Sequence, residues 1–72
     1  MLFFLLSLAL ANPEYQIGVE ALQNKDFSRA ETHLNNCIRA NPQNIECYWE
    51  LGWAYWMQGK WSDVVVSWKK VQ

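Results

Sequence analysis

A chain of 72 residues, 51% hydrophobic and with a formal charge of −1, can build one small core and is too short to divide into two. Its six basic residues, Lys25, Arg29, Arg39, Lys60, Lys69 and Lys70, are scattered among seven acidic ones, which excludes the basic stripe of a nucleic-acid binder. Two cysteines allow at most one internal disulfide.

Residues 1–11, MLFFLLSLALA, carry no charge and end in Ala9-Leu10-Ala11, the small-x-small pattern of a secretory cleavage site. The segment falls short of the roughly 20 apolar residues of a bilayer span. It reads as the apolar part of a signal peptide, so the mature chain is expected to begin at Asn12 in an exported protein, periplasmic or secreted. A buried N-terminal segment of the mature domain is the alternative. Asn12-Pro13-Glu14 is a helix start, with a cap, a proline suited to the first turn and a carboxylate at the positive end of the dipole. Asn24-Lys25-Asp26 offers a turn and a second cap, and Asn41-Pro42 closes the second helix, because proline disfavours helical geometry in the residue before it. Asn44 can cap a third helix, and Gln58-Gly59-Lys60 breaks before a fourth. Val64-Val65-Val66 alone favours a strand. The spacing of Trp61, Val64, Val65, Trp68 and Val71 predicts a helix there instead.

Sliding the chain against itself by 34 residues pairs Ile17 with Leu51, Gly18 with Gly52, Phe27 with Trp61, Ala30 with Val64 and Leu34 with Trp68. The second copy contains Tyr48-x-x-Leu51-Gly52-x-x-Tyr55 and then Val64-x-x-x-Trp68, while the first contains Ile17-Gly18, Ala30-x-x-x-Leu34 and Pro42. At these positions the chain resembles the tetratricopeptide repeat family, whose unit is a pair of antiparallel helices. It departs from the family pattern at Glu14, Ala21 and Val64. The resemblance implies an all-α fold of helix-turn-helix pairs stacked as a short α-solenoid, with a first repeat at 12–44 and a second, truncated one at 45–72. Gly18 and Gly52 each cost about 1 kcal/mol against alanine inside a helix, which is best explained by close helix approach at both.

Residues 48–61 read YWELGWAYWMQGKW. At about 100° per residue, Tyr48, Leu51, Gly52 and Tyr55 share the expected core face, while Trp49, Trp53 and Trp56 share an adjacent one with Met57 on its border. Tyr15, Val19 and Leu22 are the equivalents in the first helix. The resemblance implies that Tyr15, Val19, Leu22, Trp49, Trp53, Trp56 and Met57 line a concave groove that binds a peptide or partner protein. Family members that clamp a terminal carboxylate use Lys, Arg and Asn there, and such a clamp is not expected here. The stripe can equally be covered by further repeats or by a second copy of the chain, or it can stack a glycan as a carbohydrate-binding envelope module. Tyr48, Tyr55, Trp61 and Trp68 are assigned to packing between helices.

Cys37 and Cys47 are nearly symmetric about the Pro42 turn, so a disulfide is possible in an exported chain. Two separate buried cysteines are the alternative. His33 with both cysteines gives three zinc-type donors but no evident fourth, and no metal or other cofactor is expected. Glu46 and Glu50 fit a solvated face. No nucleophile with a base and no phosphate loop stands out, so the reading is of a non-catalytic interaction or scaffold module.

Overall fold

Proline at the first helical position costs nothing, since its missing N–H would lack a helical partner in any case; Pro13 accordingly opens α1 (Pro13–Gln23). The computed structural model describes residues 13–72, so the expected signal segment 1–11 and the cap at Asn12 lie outside the described residues. Asp26 caps α2 (Phe27–Ala40), its carboxylate accepting the Arg29 backbone N–H at 3.3 Å. Helix α2 stops one residue before Asn41-Pro42. Asn44 caps α3 (Ile45–Trp56), its side-chain oxygen accepting from the N–H groups of Glu46 and Cys47 at 3.1 and 3.4 Å. The valine run lies inside α4 (Trp61–Lys69), where packing on one helical face overrides its strand preference.

The fold is all-α, with no strand among the described residues. Helix α1 packs on α2 and α3 on α4, and the contact of α2 with α3 stacks one antiparallel hairpin on the other. Ala21, Ala30, Leu34, Leu51 and Ala54 form the shared core, flanked by Tyr15, Leu22, Ile38 and Tyr55. Small residues on α1, α2 and α3 let the backbones approach while Leu34 and Leu51 fill the remaining space.

The two hairpins repeat each other in detail at an offset of 34 residues. In the first turn the Asp26 N–H donates to Ala21 O at 2.8 Å and the Lys25 N–H to Leu22 O at 3.0 Å. In the second, Lys60 donates to Tyr55 O and Gly59 to Trp56 O, both at 3.0 Å. Lys25 has φ 61° and Gly59 has φ 73°. Glycine takes this left-handed conformation freely, whereas lysine does so at a cost of roughly 1 kcal/mol. The glycines inside the helices recur as well. A Cβ on Gly18 would lie 2.6 Å from Leu34 Cγ, and one on Gly52 would lie 1.8 Å from Trp68 Nε1. Each glycine is the seat of the bulky residue sixteen positions later, which accounts for its place in a helix.

Covalent and polar links fasten this stack. A disulfide joins Cys37 to Cys47, with Cα atoms 6.3 Å apart and both residues fully buried. It ties the end of α2 to the start of α3, and so one hairpin to the next. Glu14 on α1 accepts hydrogen bonds from His33 Nδ1 and, at 3.1 Å, from Asn36 Nδ2 on α2. The His33 hydrogen bond, above all, holds the Glu14 carboxyl below its ordinary range. Glu31 on α2 accepts from Gln58 Nε2 at 2.6 Å and Lys60 Nζ at 3.0 Å, fixing the second turn against the first hairpin.

Candidate functional site: a five-tryptophan surface

Helical spacing puts Trp49, Trp53 and Trp56 at i, i+4 and i+7 of α3, which aligns them along one side of the helix. All three are exposed, and their rings touch in sequence. Trp49 meets Trp53 edge-on at 5.9 Å between centroids, and Trp53 meets Trp56 edge-on at 6.2 Å. The stripe is therefore continuous.

The stripe merges with the core face beside it, whereas the sequence alone put the two on adjacent, separate faces. Gly52 stands where the core face and the aromatic stripe meet, and the Trp68 ring from α4 enters there. Trp68 lies near-parallel to Trp49 at 5.2 Å and to Trp56 at 6.0 Å, and edge-on to Trp53 at 5.2 Å. Its Nε1–H donates to Trp49 O at 3.1 Å, so the indole keeps a polar partner while its ring packs. Trp68 is half-buried, in keeping with its assignment to packing. Trp61 is corrected. Instead of being buried between helices it is 56% exposed and meets Trp56 edge-on at 4.9 Å. All five tryptophans of the chain thus form one network.

Trp61 differs from its repeat equivalent because cover at that position comes from the neighbouring hairpin. Phe27 is half-buried beside Trp53 and Trp56, whereas no described element lies over the outer face of α4. The same reason leaves Val65 and Val66 exposed. Tyr48 and Tyr55 are half-buried rather than fully enclosed. Burial raises the Tyr55 hydroxyl pKa.

The seven groove residues are brought together in part. Leu22, Trp53 and Met57 line one shallow depression of about 260 Å³ with Gln23 and Lys25. An adjoining one of about 570 Å³ adds Phe27 and Trp56. Tyr15 faces α3 differently, its hydroxyl donating to Glu50 Oε2 at 3.5 Å. Burial is the first cause of the raised pKa of both Tyr15 and Glu50. Val19 is half-buried and lines neither depression. Phe27, Lys25, Trp61 and Trp68 belong to the surface but were not placed there by the sequence reading. The 34-residue offset held the signal for Trp68, since it repeats Leu34 just as Gly52 repeats Gly18.

His33 bonds to Glu14 and both cysteine sulfurs are joined to each other, so the three zinc-type donors do not converge. No group of His, Cys, Asp or Glu suited to a metal ion occurs among the described residues. None of the described helices is long and apolar enough to cross a membrane. Comparisons with family models, with curated proteins and with solved structures find no match to this chain.

Proposed function

We propose that the chain is a non-catalytic protein-interaction module of the tetratricopeptide type, which binds a peptide or partner protein through its tryptophan surface. The observation that carries this reading is the contiguity of Trp49, Trp53, Trp56 and Trp61, each more than a third exposed. Four indoles of about 250 Å² each, close to half exposed, present on the order of 400 Å² of apolar surface. A patch of that size on a small domain marks a site of association. The recurrence of turn geometry and glycine seats at the 34-residue offset supports the tetratricopeptide resemblance.

No described element covers the outer face of α4, which a further helical hairpin or a second copy of the chain would fit. Leu34 of the first hairpin lies in a core shared with Leu51 and Ala54 of α3, and Trp68, seated on Gly52 as Leu34 is on Gly18, occupies the corresponding place on the second. Export follows in the same proposal. It is supported by the apolar segment ending Ala9-Leu10-Ala11 and by a disulfide of the kind that persists in oxidising compartments.

A carbohydrate-binding envelope module is the alternative. Glycan stacking needs open ring faces, and here Trp49 and Trp56 stack on Trp68 while Trp53 turns edge-on to both. That geometry favours apolar side chains of a partner protein packing across the ring edges. Titration of intrinsic tryptophan fluorescence with apolar peptides and with oligosaccharides tests the two. Peptides are expected to shift or quench the emission, with saturation, and oligosaccharides to leave it unchanged; the reverse pattern would replace the protein-binding reading with the glycan one.

A further inference from the structure

Lys25 stands at the left-handed position of the first turn, where the two hairpins carry different residues. It holds a left-handed conformation, φ 61°, where the second hairpin uses Gly59 at φ 73°. A lysine is thus kept in a place that glycine fills without strain. Lys25 lines both depressions beside Trp53 and Met57, and it forms no ion pair among the described residues. The ion pairs among the described residues are His33 with Glu14 and Lys60 with Glu31. The adjacent Asp26 carboxylate is engaged at the start of α2, on the Arg29 N–H.

From this geometry we infer that the depression between α1 and α3 receives an apolar side chain of a partner peptide whose neighbouring residue is Asp or Glu, with Lys25 pairing the carboxylate. The inference rests on the proposed interaction surface and names the chemistry of its ligand. Leu22, Trp53 and Met57 supply an apolar floor for a leucine or phenylalanine side chain, and Met57 adapts to either shape. Lys25 supplies a single mobile cation at the rim, suited to a side-chain carboxylate rather than to a fork-shaped clamp on a chain terminus. A partner bearing Lys or Arg next to its anchor meets like charge at the same point, so the residue also discriminates.

Titration of tryptophan fluorescence with end-blocked peptides tests this directly. Each peptide carries a central phenylalanine flanked by Glu, by Gln or by Lys. At low salt the Glu-flanked peptide is expected to bind roughly threefold to fivefold more tightly than the Gln-flanked one, the range of a partly exposed ion pair. Raising the salt should narrow the gap. Lys25→Gly provides the decisive variant, because its backbone fits the turn better than lysine does. It should melt at the same temperature or higher while the preference for Glu over Gln disappears, and Lys25→Asn, which tolerates the same φ, should behave alike. Equal binding of the Glu and Gln peptides, or a preference that survives both substitutions, would overturn the inference and leave the interaction surface standing. If no peptide perturbs any tryptophan, the surface reading fails and the inference with it.

Discussion

Gly52→Ala is expected to destabilise the protein by about 2 kcal/mol or more, against the sign that helix propensity alone predicts. Alanine is favoured over glycine inside a helix by about 1 kcal/mol. A Cβ at this position, however, would stand 1.8 Å from Trp68 Nε1 and 2.3 Å from Cδ1. A rigid indole cannot yield as a flexible chain end does. Its displacement breaks the hydrogen bond to Trp49 O and the stacking on Trp49 and Trp56, and forced overpacking of this kind typically costs 1–3 kcal/mol, occasionally more. The Trp68→Ala background isolates the cause. With the ring gone, Gly52→Ala should become neutral or stabilising, giving a coupling energy of the size seen for residues in direct contact. Urea unfolding of the four proteins in this cycle measures it; additive effects would mean that Trp68 is not seated on Gly52.

The second large effect concerns the disulfide. Replacing Cys37 and Cys47 together by alanine should lower stability by about 3 kcal/mol, the entropy that a loop of this length removes from the unfolded chain. The loop spans ten residues and holds the junction between the hairpins, so loss of the bond should loosen their stacking first. A thiol reductant should lower the urea midpoint of the parent protein and leave the double variant unchanged. Intact mass of protein recovered from its native source joins this result to the export proposal: the expected species begins at Asn12 and is lighter by two hydrogens than the reduced chain. A reduced chain retaining Met1 would contradict both.

Local chemistry made much of the fold legible in advance. Asp26 and Asn44 cap because a short polar side chain reaches the next free N–H groups whatever the rest of the chain does, and Pro42 ends α2 for an equally local reason. The glycines at 18 and 52 signalled close approach because nothing else offsets their cost within a helix. Legibility failed where cover is supplied from outside the local sequence. Trp61 has the position of Phe27 but lacks a hairpin beyond it among the described residues, so class and periodicity could not give its exposure. The aromatic stripe was assigned to its helix face correctly, yet its merger with Trp68 depends on how far one indole reaches across the seam at Gly52. Lys25 gave no signal by composition, because a lysine in a polar turn is ordinary until its φ is known.

Trp53 stands at the centre of the network, touching Trp49, Trp56 and Trp68 and lining both depressions, so Trp53→Ala most directly tests whether this surface exists for a partner or for the fold. Central tryptophans commonly dominate binding energy, and truncating one in an interface costs about 2 kcal/mol or more of affinity. Urea stability and peptide affinity of the same variant decide the matter: the account predicts that peptide binding falls at least about thirtyfold while stability drops by no more than about 1 kcal/mol, as befits a residue already 37% exposed. A variant that loses several kcal/mol of stability, yet binds peptide with undiminished affinity in its folded fraction, would show that the tryptophans are packing and contradict the account.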